Sequence, residues 1–128
     1  MNDKIKILIP AYEPDDKLIK LVEALSKEDF DIIIVDDGSG PNYKEIFNSC
    51  KKYSNIISYE INEGKGHALK TGLKYIKENY KEPYIIVTMD SDGQHTIKDA
   101  KKLMKACLKN KETLYLGKRI RSKKTPIR

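Results

Sequence analysis

The sequence is poor in the features that mark several large protein classes. No apolar run approaches the roughly 18–20 residues of a membrane-spanning helix, so no part of this chain is expected to cross a bilayer. No secretory signal is expected at the start, because Ile5–Ile9 is too short and no cleavage site follows it. There are only two cysteines, Cys50 and Cys107, and they fit no metal-binding spacing. Without a signal they read as reduced core residues on apolar helix faces. Arginine is missing from residues 1–117; all three arginines fall in Lys118–Arg128, with three lysines and no acid. Those six charges equal the whole formal excess of +6, so the rest of the chain is balanced. The charge gives no support to a basic surface across the domain, and nucleic acid is not an expected partner. The basic stretch reads either as a solvated tail or as a clamp for phosphate or an anionic membrane surface.

What is present is the material of one soluble globular domain. A chain of 128 residues that is 39% hydrophobic and 34% charged can bury one core. Apolar strand-like runs alternate with amphipathic stretches. Lys4–Pro10 reads as a first strand, with Pro10 expected to stop its ladder. Leu18, Leu21, Val22 and Leu25 recur at helical spacing and predict a helix from Asp15-Asp16 to about Ser26. Phe30–Val35 is a second strand, and Ile46, Phe47, Cys50 and Tyr53 mark a helix over 43–53. Ile56–Ile61 is a third strand, followed by a glycine-rich loop, Asn62–His67. Leu69, Leu73 and Ile76 then line a helix ending near Asn79, with Gly72 on that face permitting close packing. Tyr84–Met89 is a fourth strand; Ala100, Leu103, Met104, Cys107 and Leu108 predict a helix; Thr113–Gly117 is a fifth strand.

This alternation predicts an α/β fold with a largely parallel sheet and right-handed crossovers. The domain is expected over residues 1–117, with 118–128 as a basic continuation. In open sheets of this kind, ligands bind beyond the carboxyl ends of the strands, where the strand order reverses. Four polar clusters fall at those ends: Ala11-Tyr12-Glu13, Asp36-Asp37-Gly38-Ser39, Asn62–His67 and Asp90–His95.

The last cluster carries the sharpest chemistry. Along an extended chain Asp90, Asp92 and Gln94 point the same way, with small Ser91 between the acids and Gly93 permitting a sharp departure. Two carboxylates held together repel unless a cation neutralises them. Their oxygens, with an amide oxygen, suit a hard divalent ion, Mg²⁺ or Mn²⁺. Standard phosphate motifs are missing. The loop after the first strand has no glycine, which rules out a dinucleotide fingerprint. Gly64-Lys65-Gly66 has the wrong spacing for a P-loop.

Four blocks in order resemble family-2 glycosyltransferases with the GT-A fold. They are Ile9-Pro10-Ala11-Tyr12-Glu13-Pro14, Val35-Asp36-Asp37-Gly38-Ser39, Asn62-Glu63-Gly64-Lys65-Gly66-His67-Ala68-Leu69-Lys70-Thr71-Gly72, and Met89-Asp90-Ser91-Asp92-Gly93-Gln94-His95. The last is most similar to the branch, typified by dolichyl-phosphate mannose synthase, that charges a dolichyl or polyprenyl phosphate with a sugar. The resemblance spans about residues 4–119. It implies a three-layer α/β sandwich, of which this chain would be the N-terminal, donor-binding part. The expected donor is a UDP- or GDP-linked sugar, and the expected acceptor is a polyprenyl phosphate or another glycan acceptor. In the full-length protein the resemblance implies a cytoplasmic location, at the cytoplasmic face of the membrane.

The resemblance also assigns residues. Pro10, Ala11, Tyr12, Glu13, Asp36 and Asp37 would bind the nucleoside, either aspartate being able to do so. Asp90, Asp92 and Gln94 would hold the metal that bridges the donor diphosphate, with Ser91 beside it. Lys65 would hold phosphate or remain solvated, and Arg119 would contact phosphate. His67 and His95 would meet acceptor or phosphate, or serve the structure. No residue is assigned as a catalytic base. Two other readings stand beside this one: a non-catalytic nucleotide-sugar-binding module, and a Mg²⁺-dependent haloacid-dehalogenase-like phosphatase, whose motif Asp90-Ser91-Asp92-Gly93 also fits.

Overall fold

The computed structural model describes residues 5–28 and 30–91, and the backbone of a short strand at Arg119–Ile120. The elements are β1 (Ile5–Ala11), α1 (Asp16–Ser26), β2 (Asp31–Asp37), α2 (Lys44–Cys50, preceded by a 3₁₀ turn at Pro41–Tyr43), β3 (Asn55–Tyr59), α3 (Lys65–Asn79), β4 (Ile85–Thr88) and β5 (Arg119–Ile120). The strands form one sheet in the order β3-β2-β1-β4-β5, every pair parallel. The expected helix at 96–108 and the expected strand Thr113–Gly117 lie outside the described residues. The strand that pairs with β4 is Arg119–Ile120, opposite Ile86 and Val87.

The chain winds outward from β1 to β3, then crosses back over β1 to β4. Crossovers of one hand therefore put successive helices on opposite faces once the direction reverses. Ile5, Ile7 and Ile9 pack on one face with Leu18, Val22 and Leu25 of α1 and Phe47 and Cys50 of α2. Leu8, Ile33, Val35 and Ile86 pack on the other with Ala68, Leu69 and Ile76 of α3. The result is a three-layer sandwich whose central strands are apolar on both faces, as parallel sheets require. Gly72 lets α3 lie close to the sheet, because a Cβ there would overlap the side chain of Leu8.

Local signals set the helix ends. Asp15 caps α1, its carboxylate accepting from the Lys17 N–H at 3.0 Å. Two expected boundaries move. Pro10 does not end β1, which runs on to Ala11 opposite Asp36. The Leu8 carbonyl accepts from the Met89 N–H, so Leu8 and, two residues on, Pro10 face β4. The β4 register ends at Leu8 and Thr88, so the missing Pro10 N–H removes no ladder bond. The glycine-rich loop is also shorter than expected: Lys65, Gly66 and His67 form the first turn of α3, with Gly64 at φ 97° as its cap.

At the opposite edge of the sheet, Lys6 is only 5% exposed. Its ammonium meets Asp31 at 2.6 Å and lies 4.3 Å from the centre of the Tyr80 ring. Cys50 is a free, fully buried thiol, and burial pushes its pKa from 9.0 up to about 11. A raised thiol pKa means that folding favours the neutral form, so this contribution is complete below the unfolded value and is lost as pH rises through the folded one. Thermal denaturation should show stability falling between pH 9 and about 11, and Cys50→Ala should make that fall shallower.

Candidate functional site

At the carboxyl edge of the sheet, the turn after β2 ties the loops after β1 and β3 together. Gly38 sits at φ +68°, and a Cβ there would overlap the backbone of Ile61 and Asn62. Only glycine permits both the left-handed backbone and that approach. Beside it Asp37, 3% exposed, accepts four hydrogen bonds. Oδ1 takes the Tyr59 hydroxyl at 2.7 Å and the Glu63 N–H at 2.8 Å. Oδ2 takes the Asn62 amide and the Gly64 N–H, each at 3.0 Å. The Asn62 amide also donates to the Asp37 carbonyl at 3.0 Å. Burial, and then the hydrogen bond to Asp37, push the Tyr59 phenol well above its ordinary range.

The β1 loop is braced from the same turn. The Glu13 N–H donates to Ser39 Oγ at 2.8 Å, and the Ser39 N–H donates to Asp36 Oδ1 at 3.0 Å. Glu13 takes a positive φ of 49° to reach that position. This leaves Tyr12 projecting from the loop, 49% exposed. The Glu13 carboxylate beside it raises the Tyr12 phenol pKa.

Between these loops lies a cleft of about 500 Å³, lined by Pro10, Ala11, Tyr12, Asp37, Asn62, Gly64, Lys65, Asp90 and Ser91. It opens between β1 and β4, where the strand order reverses. Its lining includes the exposed Tyr12 ring, the start of α3 and a Lys65–Asp90 ion pair at 3.1 Å, with side chains 60% and 36% exposed. Such an exposed pair is worth only about 0–1 kcal/mol, so a ligand can separate its partners at little cost. The helix start adds partial positive charge beside that pair.

The structure thus brings Pro10, Ala11, Tyr12, Asp37, Lys65, Asp90 and Ser91 to one cleft. It does not bring Asp36 there. Adjacent strand residues point to opposite faces, and Asp36 lines a second cleft of about 560 Å³ beside α2, with Lys44, Lys51, Ser58 and Glu60. Glu13 braces the loop through its backbone and is absent from the cleft lining. His67 is exposed and meets the Tyr59 ring edge-on at 5.2 Å. Asp92, Gln94 and His95 lie outside the described residues, as does the side chain of Arg119. Among the described residues no group of three His, Cys, Asp or Glu side chains could hold a metal ion. Asp90 nonetheless fits a cation, since its carboxylate already receives the Lys65 ammonium.

The residues that brace the site, Gly38, Ser39, Tyr59 and Asn62, are ones to which the sequence reading assigned no ligand. The Asp-Asp-Gly-Ser turn marks Gly38 and Ser39 as turn residues, but no local pattern marks Tyr59 and Asn62, which reach the turn from the end of β3 and the loop beyond it. Gly38→Ala should destabilise the fold by about 2–4 kcal/mol, combining the left-handed backbone penalty with overlap against the 61–62 backbone. Urea unfolding measures this, and a change within 0.5 kcal/mol (about the scatter of surface substitutions) would contradict the bracing role.

Comparison with known proteins gives the site its context. The family model for glycosyl transferase family 2 matches residues 6–127. An uncharacterised protein of Methanocaldococcus jannaschii is 37% identical over 95% of this chain and 49% of its own length. The UDP-N-acetylglucosamine–dolichyl-phosphate N-acetylglucosaminyltransferase of Methanococcus voltae is 35% identical over 97% of this chain and 55% of its own length. The dolichyl-phosphate beta-glucosyltransferase of Saccharomyces cerevisiae is 32% identical over 82% of this chain and 34% of its own length. The chain thus spans about half the length, or less, of these curated relatives. No solved structure matches it. The match across almost the whole chain and the doubly wound parallel sheet agree: the chain belongs to glycosyltransferase family 2, with the α/β architecture of its GT-A fold.

Proposed function

We propose that the protein transfers a sugar from a UDP- or GDP-linked donor to a polyprenyl phosphate, working at the cytoplasmic face of a membrane. The observation that carries this reading is the cleft at the β1/β4 crevice, which gathers the exposed Tyr12 ring, Lys65 at the start of α3 and Asp90 after β4. The named activities of the archaeal and yeast relatives, both dolichyl-phosphate transferases, support the acceptor class. Among the described residues no helix is long and apolar enough to cross a membrane. The basic run Lys118–Arg128 suits an anionic lipid surface.

In this reading Tyr12 and the backbone of Pro10–Tyr12 hold the nucleoside. A ring that is exposed in the free protein loses little on stacking with a base. The diphosphate lies at the start of α3. There Lys65 exchanges Asp90 for a phosphate oxygen, and the N–H groups of the first turn add favourable dipoles. The acceptor phosphate oxygen attacks the anomeric carbon as the bond from that carbon to the donor phosphate oxygen breaks. The electron pair leaves with the nucleoside diphosphate. The acceptor is already anionic, so no proton need be removed from it. Asp90, with Asp92 and Gln94, would hold Mg²⁺ or Mn²⁺, which supplies Lewis-acid stabilisation of the leaving diphosphate.

Calorimetric titration with UDP and GDP, with and without Mn²⁺, tests the reading. Binding of at least one nucleotide should depend on Mn²⁺, and Asp90→Asn should weaken it at least tenfold, about 1.4 kcal/mol. Binding indifferent to both metal and substitution would overturn the donor site. Metal-dependent binding without sugar transfer to a polyprenyl phosphate would favour the nucleotide-sugar-binding module instead.

A further inference from the structure

We infer that the outer edge of β3 pairs with the same strand of a second copy of this chain, the two strands running antiparallel about a two-fold axis. β3 ends the sheet, on the far side of β2 from the donor crevice. Among the described residues no strand covers its outer edge. Soluble proteins commonly blunt such edges with charged side chains, proline or a bulge. Asn55-Ile56-Ile57-Ser58-Tyr59 carries no charge and no proline, and it pairs with β2 residue for residue. Ile56 and Ile57 remain only half-buried. The two exposed side chains are tied back to their own subunit. Asn55 Nδ2 donates to the Tyr80 hydroxyl at 3.3 Å, and the Ser58 hydroxyl donates to Asp36 at 3.4 Å. What the edge presents is therefore its backbone N–H and C=O groups.

The charges beside the strand select the partner. Lys51 caps the carboxyl end of α2, and Lys52 follows it; both are exposed. The Ser54 N–H donates to the Lys51 carbonyl at 3.4 Å, which holds that turn at the amino end of β3. Glu60, also exposed, immediately follows the other end of the strand. A two-fold axis at Ile57 would set Asn55 against Tyr59 and Ile56 against Ser58. It would carry Glu60 to the level of Ser54 in the second copy, beside Lys51 of that copy, and symmetry makes this contact twice. A parallel pairing would bring like ends together, where their charges repel. The cleft of about 560 Å³ between α2 and β3 suits the same arrangement, since Phe47, Ile56 and Ser58 line it. Ile56 packs on the α2 side of the sheet, and Ser58, two residues on, shares that face. Ser58 is small, so Ile56 of the second copy, lying opposite it, would cover the apolar part of the cleft. Pairing of β3 with β5 of another copy would be heterologous and would leave a free edge at each end, whereas β3 with β3 closes. One short strand pair lies at the small end of specific interfaces, so the dimer should dissociate in the micromolar range.

Sedimentation velocity from low micromolar to near-millimolar concentration tests this. The 14.7 kDa chain should pass from monomer to dimer and form nothing larger. Glu60→Lys and Lys51→Glu should each weaken the dimer by about fivefold or more. The two substitutions combined should restore it to within about threefold of the wild type, because each reversed charge again faces its opposite. Both positions are exposed, so the variants should fold as the wild type does. In an NMR sample mixing labelled and unlabelled chain, intermolecular NOEs should join Ile56 of one copy to Ser58 of the other. A chain that stays monomeric throughout would overturn the inference and leave the edge to a strand of another protein. So would a dimer that ignores the charge reversals, or one whose intermolecular NOEs fall outside β3.

Discussion

Two oxygen atoms at the end of β2 hold the working edge of this protein together. A buried carboxylate is tolerable only when its lost hydration is replaced, and Asp37 replaces it with one hydroxyl, one side-chain amide and two backbone N–H groups. Every donor comes from the end of β3 or from the loop that leads into α3. The same turn presses Gly38 against the 61–62 backbone and, through Ser39, holds Glu13 in the β1 loop. Removing the charge would therefore disturb more than one loop, because these bonds share one acceptor group and are not independent.

The sheet makes this arrangement useful. Reversal of winding direction after β3 places β4 beside β1 and leaves a crevice between their carboxyl ends. The loops braced by Asp37 and Ser39 line it together with Asp90, which follows β4. Burial is concentrated in the sheet and helices, while the groups suited to a ligand remain exposed. Tyr12 projects into solvent, and Lys65 and Asp90 hold each other in a pair that is easily broken. A braced frame that presents an exposed ring and an exposed ion pair suits a charged ligand that must come and go.

Much of this was legible in the sequence, for identifiable reasons. The α1 face, the strand runs and the close packing at Gly72 follow from periodicity and size. The clustering of polar blocks at one edge follows from the alternation of strands and helices. The choice between Asp36 and Asp37 was not legible. Strand β2 is buried on both faces, so Ile32, Ile33, Ile34 and Val35 are all apolar and give no parity by which to orient the aspartates. Pro10 looked like a stop because proline lacks a donor, yet its neighbour β4 no longer pairs at that level. The start of α3 was hidden because Gly64-Lys65-Gly66 has the composition of a loop, and the bonds that hold its cap residue, Gly64, come from Asp37 on a distant strand. Such long-range bonds leave no local pattern.

The central claim is that a nucleotide diphosphate occupies the β1/β4 crevice and not the similarly sized cleft beside α2. Backbone amide shifts on titration with UDP or GDP and Mg²⁺ test it most directly. The account predicts that the largest changes fall at Ala11, Tyr12, Gly64, Lys65 and Asp90, with Lys44, Lys51, Ser58 and Glu60 nearly still. Changes centred on the second group would contradict it.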